Sequence, residues 1–307
     1  MHSAILSLSH SSHSRRGSVS SYTSDDELQR PLVELPEKRN GRSKWYQAKP
    51  SIFLHESKVL LFSSIPVIFG MMLEMLPVLV NIYFLGDEST NYLAALGLGT
   101  TWINCIGYSF CVGIYGGMEV LVAQAYGAKN YKLVAAYLDK TLAILTISFI
   151  PLFIILALSE PTFKALGIDP EIAEMAANYT IWLSPSVLLI GIFGSIKCFL
   201  NAQNIFDIQN YLSMGVYPCH FIWCWLYTSI IDNKLTALAL AKCTTDLLNP
   251  LVLYLFIKKR GYCQQTLLPF DRKTVFKGWL TFLKQCLPIG SIVYLEWLSY
   301  EFFTIQA

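Results

Sequence analysis

The sequence predicts an all-α integral membrane protein. Apolar runs of roughly the 20 residues that a helix needs to cross a bilayer recur from residue 58 to the end of the chain. Hydrophobic residues make up 54% of the chain, charged residues only 14%, and the mean hydropathy is +0.45. Soluble domains carry about 25% charged residues. The charges also cluster outside the apolar runs, in residues 1–58 and 258–277. Together these observations predict a bundle of transmembrane helices.

Seven apolar runs are predicted to be transmembrane helices. They cover residues 58–85, 92–124, 133–158, 175–200, 208–230, 235–257 and 279–307. The second is longer than a bilayer requires, so we expect it to tilt or to project beyond the membrane. Short connections with turn-forming residues separate the runs, for example Gly86-Asp87 and Asp232-Asn233.

The N-terminal residues 1–50 differ in composition from the rest of the chain. They are rich in Ser, Arg, Lys and acidic residues and contain no apolar segment of a secretory signal. Because such a segment buries too little apolar surface to offset chain entropy, we expect a disordered tail. Ser18 follows two arginines and Ser24 precedes three acidic residues, which are kinase-like patterns that also arise by chance.

The basic residues predict the orientation in the membrane. Lys and Arg concentrate in the tail, in the loop with Lys129 and Lys132, and in the loop at 258–278. The opposite loops are mainly acidic, and their only basic residues are Lys164 and Lys234. Because cytoplasmic loops carry the excess of Lys and Arg, we predict a cytoplasmic N-terminus.

A repeated pattern indicates two related halves. Pro66 precedes Glu74 by eight residues on the first predicted helix, and Pro288 precedes Glu296 by eight residues on the seventh. A parallel duplication of a six-helix unit leaves such a pattern. We therefore predict a six-helix lobe at 51–257, a basic cytoplasmic loop at 258–278, and the first helix of a second lobe at 279–307.

Three glutamates within apolar runs are candidates for ion coupling: Glu74, Glu296 and Glu301. A carboxylate at bilayer depth costs roughly 3 kcal/mol, so each needs a reason to be there. Such a group can hold a proton, release it and attract a cation. Asn81 shares the helical face of Glu74, and Tyr300 shares that of Glu296. The alternative is that these glutamates are neutral and hydrogen-bond between helices.

Other functional classes lack a matching pattern. The cysteines and histidines show no metal-ligand spacing, so no metal or cofactor is expected. We find no nucleophile–base pair that would predict an enzyme. A net charge of +2 is too small to indicate a nucleic-acid partner.

Four sequence segments, in order, resemble the eukaryotic form of the multidrug and toxic compound extrusion (MATE) transporters. The most specific is Glu119 to Asn130, which is similar to the family's acidic residue followed by a Gln-Ala-Tyr-Gly-Ala turn and contains Gln124 and Gly127. Glu119 could instead pair with Lys129 or Lys132. The other segments are Leu166 to Ala173, Asn201 to Asn204, and Pro288 to Glu301.

The resemblance implies a twelve-helix fold of two lobes that exports organic cations and xenobiotics in exchange for protons or sodium. By position, Glu296 and Glu301 match the helix-seven acids that the family uses for cation coupling and substrate binding. Bacterial members tend to carry an aspartate where this chain has Asn81. The chain stops inside helix seven, so we expect it to be truncated and to need the missing lobe or a second copy.

Two alternative functions remain. A lipid-linked sugar flippase of related architecture would need a more cationic cavity than these acidic residues indicate. A seven-helix receptor conflicts with the predicted cytoplasmic N-terminus. The membrane is expected to be the plasma membrane or a vacuolar or endosomal membrane, and the substrate and the coupling ion stay open.

Overall fold

The fold is known from a computed structural model. It describes residues 57–58, 61, 64–65, 68–267, 275 and 278–306, and for Trp297 and residues 301–306 it describes the backbone only. The predicted tail at 1–50 and Pro66 of the repeat lie outside the described residues. Within the described part every regular element is a helix, as predicted.

The helices follow one another through short turns. A helical stretch from Ile68 continues through a turn at Met75 into α1. The helices are α1 (Leu76–Phe84), α2 (Thr90–Ile103), α3 (Ser109–Gly127), α4 (Tyr131–Ala157), α5 (Ser159–Ala165), α6 (Pro170–Leu183), α7 (Pro185–Asn201), α8 (Asp207–Val216), α9 (His220–Ile230), α10 (Lys234–Arg260) and α11 (Trp279–Gln306). A π-helical turn, Asn104–Tyr108, joins α2 to α3.

The helices occupy the predicted spans, with breaks that the sequence interpretation missed. The fourth span is α6 and α7, bent by 45° where Pro185 begins α7. The fifth is divided into α8 and α9 by a turn around Pro218. In both places proline lacks the N–H that would continue the helix. The short helix α5 lies in a segment expected to be a loop.

Length and apolar composition identify the strongest membrane-crossing helices. Of the described residues, Thr90–Gly127, Tyr131–Ala157 and Lys234–Arg260 are long and apolar enough to cross a bilayer by themselves, and the bent α6–α7 pair brings the number to four. Thr90–Gly127 spans 38 residues, which agrees with the predicted excess length of the second span. The helical stretch Ile68–Phe84 is apolar but shorter.

Helix α3 lies at the centre of the described bundle, where it contacts α4, α7 and α11. Its glycines allow α11 to approach closely. A Cβ on Gly117 would stand 2.6 Å from the carbonyl oxygen of Cys286, and one on Gly113 would stand 3.0 Å from that of Gly290. The Cys286 thiol also donates to the carbonyl oxygen of Ile114 at 3.3 Å. Small residues at this crossing therefore set the distance between the two helices.

Side-chain contacts join loops that were predicted to share a side of the membrane. Lys234, the first residue of α10, forms an ion pair with Glu88, which precedes α2, at 2.6 Å. On the other side, the Thr266 hydroxyl donates to the Gln203 side-chain oxygen at 2.7 Å. These contacts agree with the predicted alternation of the loops.

Candidate functional site

A buried polar network connects three helices of the bundle. The His220 ring, at the start of α9, lies 3.0 Å from the Asn81 oxygen through Nε2 and 2.8 Å from the Thr245 hydroxyl through Nδ1. The Cys224 thiol lies 3.2 Å from the same Nε2. All four side chains are buried. The network therefore fixes α1, α9 and α10 to one another by hydrogen bonds inside an apolar bundle.

The proton positions follow from the acceptor on Asn81. Because its amide oxygen faces the ring, a neutral imidazole carries its proton on Nε2 and accepts through Nδ1. The Thr245 hydroxyl, 2.8 Å from Nδ1, is also a donor to the Ala241 carbonyl oxygen at 3.1 Å, so its one proton faces two acceptors. The network thus brings a ring nitrogen, an amide, a hydroxyl and a thiol within hydrogen-bonding distance inside the bundle.

A second polar centre lies beside the first. Asp246 follows Thr245 on α10 and is only 3% exposed. Its Oδ1 accepts from the ammonium of Lys242, one helical turn earlier, and its Oδ2 accepts from the Ser186 hydroxyl on α7. The Tyr108 hydroxyl stands 2.7 Å from the Ser186 oxygen. An ion pair and its hydrogen-bonded partners are therefore enclosed between α7, α10 and the π-helical turn.

Glu74 is the predicted site residue for which the structure supplies an ionic partner. Its carboxylate pairs with the ammonium of Lys197 on α7 at 2.5 Å, with exposed fractions of 32% and 22%. Glu74 precedes the turn at Met75, and Asn81 follows it on α1. The two residues predicted to share one face therefore bind different helices, α7 and α9.

The helix-seven residues lie on the outside of the described bundle. Glu296 is exposed and Tyr300 is 62% exposed, whereas Cys286 and Gly290 of the same helix are buried against α3. The backbone of Glu301 belongs to α11, but its side chain lies outside the described residues. The described residues thus leave the face with Glu296 uncovered, and the assignment of these acids stays a prediction.

The motif segment forms a helix end and a turn. Glu119 lies within hydrogen-bonding reach of the Cys198 thiol on α7, and its pairing with Lys129 or Lys132 stays an untested alternative. Gln124 is exposed, and its carbonyl accepts from the Ala128 N–H. Gly127 ends α3.

The turn after Gly127 explains the structural role of part of the motif. The left-handed backbone conformation falls on Lys129, at φ 59°, rather than on Gly127. Asn130 then caps α4 by accepting from the Leu133 N–H at 3.2 Å. The motif therefore shapes the connection between two helices.

Several central polar residues escaped the sequence interpretation. His220, Lys197, Lys242 and Asp246 were not predicted as site residues. One local signal was present: Lys242 and Asp246 stand four residues apart in an apolar run, which is the spacing of a helical ion pair. His220 and Lys197 have partners 139 and 123 residues away, so spacing alone could not have found them.

No group of three or more potential metal ligands among His, Cys, Asp and Glu occurs in the described part of the chain. The polar centres instead offer hydrogen-bond donors and acceptors, one imidazole and two internal ion pairs.

Comparison with known proteins identifies the relatives of this bundle. The family model MatE matches residues 66–226. Protein DETOXIFICATION 12 of Arabidopsis thaliana is 27% identical over 279 residues, which are 90% of this chain and 57% of that protein. Protein DETOXIFICATION 16 of the same plant is 28% identical over 246 residues, 80% of this chain and 50% of that protein. The chain thus spans about half the length of these curated relatives.

Solved structures share the fold. The crystal structure of the eukaryotic MATE transporter AtDTX14 aligns with a TM-score of 0.74 at 23% identity, over 82% of this chain and 56% of that chain. A MOP superfamily transporter from Pyrococcus furiosus aligns with a TM-score of 0.65 at 19% identity, over 77% of this chain and 51% of that one. The described helices therefore correspond to roughly half of the fold of these transporters.

Proposed function

This chain belongs to the MATE family of membrane transporters, and we propose that it forms the first lobe of a secondary active antiporter. The antiporter exports organic cations and xenobiotics in exchange for protons or sodium. The observation that carries the proposal is the pair of buried polar centres, around His220 and around Asp246, inside an apolar helical bundle. Ionisable groups at bilayer depth are costly, and they mark ion and substrate pathways.

The lobe supplies coupling groups, and helix seven supplies the cation-binding acids. Glu296 and Glu301 hold the cationic substrate when deprotonated and release it when protonated. Tyr300, one turn after Glu296, offers an aromatic face to the same cation. Glu74 and Asn81 link the first helix to α7 and α9, so a change at either contact alters how that helix packs.

A complete transport cycle needs a second lobe. In transporters built from repeats, one half rocks against the other around a site near the bilayer midplane. The uncovered face of α11 that carries Glu296 is where a second lobe would close this site. That lobe is either a segment equivalent to the part of the relatives that this chain does not span, or a second copy of the chain.

The membrane orientation proposed for this assembly has the N-terminus in the cytoplasm. The loops with Lys129 and with Lys258 then lie on the cytoplasmic side, and the Glu88–Lys234 pair lies on the opposite side. The host membrane is the plasma membrane or a vacuolar or endosomal membrane. Export from the cytoplasm is possible across either kind of membrane.

Three lysines well inside α4, α7 and α10 favour a second candidate, a lipid-linked sugar flippase, because an anionic lipid phosphate needs cationic partners. They are Lys140, Lys197 and Lys242. Two of the three are already neutralised, by Glu74 and by Asp246. Lys140 is the remaining buried cation of the described lobe. This charge balance supports cation export over anionic-lipid transport.

Uptake into vesicles tests the transport proposal. The chain is reconstituted in liposomes, and accumulation of a fluorescent organic cation is followed under an imposed pH gradient or sodium gradient. We expect gradient-driven uptake that Glu296→Gln abolishes and that Glu160→Gln, a change in an exposed ion pair of α5, preserves. Absence of gradient-driven uptake, or full activity of Glu296→Gln, would contradict the proposal. Uptake of a lipid-linked phosphate instead would favour the flippase.

A further inference from the structure

The Asp246 carboxylate has both oxygens occupied by donors of this chain. Oδ1 accepts from the Lys242 ammonium, and Oδ2 accepts from the Ser186 hydroxyl. The Tyr108 hydroxyl, 2.7 Å from the same Ser186 oxygen, extends the network to a third element. The carboxylate is 3% exposed, so bulk water does not solvate it. Its negative charge is therefore balanced almost entirely from within the protein.

The balancing charge is tethered to the same helix. Lys242 precedes Asp246 by one turn, and its side chain is only 16% exposed. The other intramembrane pair differs, because Lys197 and Glu74 come from separate helices and are 22% and 32% exposed. The Lys242 ammonium thus occupies the position that an external cation would take at a buried carboxylate.

The chemistry of this position discriminates between cations. Hard metal ions are bound by several oxygen acceptors at once. At Asp246, one neighbour is an ammonium that can only donate, and the other is a hydroxyl whose proton already points to the carboxylate. A sodium ion bound to this carboxylate would lie beside the Lys242 ammonium, and the repulsion between two positive charges in a buried site disfavours that arrangement unless the ammonium leaves. A primary ammonium ion, by contrast, has the same donors as the group that it would replace.

We propose that Lys242 is a tethered cation that closes the Asp246 carboxylate to sodium, and that the position vacated by Lys242 binds a small primary ammonium ion. Lys242 is then a specificity-determining residue, because it keeps sodium away from the Asp246 carboxylate. The inference rests on the proposed antiporter function for its biological meaning. The cation site itself is defined by the geometry of Asp246 with Lys242 and Ser186.

Neighbouring groups do not supply a competing charge. His220 on α9 is engaged with Asn81 and Thr245. The Cys243 thiol, next to Lys242, is directed to the carbonyl of Trp182 on α6 at 3.4 Å. Among the described residues, Lys242 is the cation that contacts Asp246.

Thermal unfolding of the purified full-length chain in detergent tests this proposal without any transport step. Melting temperatures are compared at one ionic strength in three chloride salts. Their cations are sodium, propylammonium and the bulky N-methylglucamine. Propylammonium carries the methylene groups and the ammonium that Lys242→Ala deletes. We expect the unmodified chain to melt at the same temperature in all three salts. Lys242→Ala should melt several degrees lower in N-methylglucamine and recover most of the loss in propylammonium.

Three further variants assign the effect to the carboxylate. Lys242→Ala combined with Asp246→Asn should show no recovery, because the anionic partner is gone. Lys242→Arg keeps a tethered cation and should show no salt-specific shift. Lys197→Ala is the matched control, since it removes the more exposed lysine of the other pair and should not respond selectively to propylammonium.

Two results would overturn the inference. One is a sodium-specific stabilisation of the unmodified chain that Asp246→Asn abolishes, because sodium would then already reach the carboxylate. The other is a folded, monodisperse Lys242→Ala protein that melts identically in all three salts. The first result is obtained without a Lys242 variant. The proposal can therefore be refuted even if Lys242→Ala does not fold. Because unfolding is measured without a gradient, failure of transport and failure of this site are separate outcomes.

Discussion

His220 and Asn81 are 139 residues apart in the sequence, and their side chains meet at 3.0 Å in the buried interior of the bundle. The contact joins α1 to α9, and the opposite ring nitrogen of His220 joins α9 to Thr245 of α10. One imidazole therefore holds three helices in register. Because each helix is apolar, few other directional contacts compete with these hydrogen bonds.

Replacement of Asn81 by leucine should destabilise the bundle. It removes the amide oxygen that faces Nε2 of His220 and leaves the Cys224 thiol, a weak hydrogen-bond partner, beside that buried nitrogen, which costs about 1–3 kcal/mol. Thermal or denaturant unfolding in detergent measures the loss. The double variant Asn81→Leu/His220→Leu should cost less than the sum of the single variants, because it removes both partners. Additive effects would show that the two side chains do not interact.

Gly117→Leu should displace α11 from α3. Even its Cβ would stand 2.6 Å from the Cys286 carbonyl oxygen, so the backbone of one helix must move. Overpacking of this kind costs about 1–3 kcal/mol. Modification of Cys286 by N-ethylmaleimide, followed by peptide mass spectrometry, should become faster, since this thiol is buried in the native bundle.

Gly116→Ala is the control for that experiment. Its Cβ would meet Val293 at 3.6 Å, an ordinary van der Waals distance, so stability and labelling of Cys286 should stay unchanged. Equal labelling of Cys286 in both variants would mean that the glycine crossing does not set the helix distance.

The ion pair between Glu88 and Lys234 predicts the sidedness of two loops. A cysteine introduced at either position should react with a membrane-impermeant maleimide from the same side of sealed vesicles, because the native side chains lie 2.6 Å apart. A cysteine at the exposed Lys129 should react from the opposite, cytoplasmic side. Labelling of positions 88 and 129 from one side would refute the predicted topology.

Charge reversal tests the contact between Glu74 and Lys197. Lys197→Glu places two carboxylates together and should lower the free energy of unfolding by about 1 kcal/mol, since both side chains are partly exposed. Glu74→Lys should have a similar effect. The double reversal Glu74→Lys/Lys197→Glu should restore most of the stability. If it melts as low as the single variants, the pair does not fasten the first helix to α7.

The sequence by itself determined most of the helical spans and their order, but not the breaks in the fourth and fifth spans or the short helix α5. Apolar runs and their flanking turn residues placed the helices within a few residues of their observed ends, because both signals act locally along the chain. The distribution of Lys and Arg predicted which loops share a side, and the pairing of Glu88 with Lys234 agrees with it. The motif from Glu119 to Asn130 gave the correct family, and its turn is also a local feature.

Only the tertiary structure decided which polar side chains meet. Glu74 was predicted from its cost in a bilayer and Asn81 from the helical face that it shares with Glu74. Their partners Lys197 and His220 lie on helices whose neighbours no spacing rule specifies. Lys242 and Asp246 carried a local signal, whereas the contribution of Ser186 from α7 did not. The physical reason is that the free-energy cost of a polar side chain at bilayer depth depends on the residue and its own helix. The hydrogen bonds and ion pairs that offset this cost depend on how the other helices pack around it.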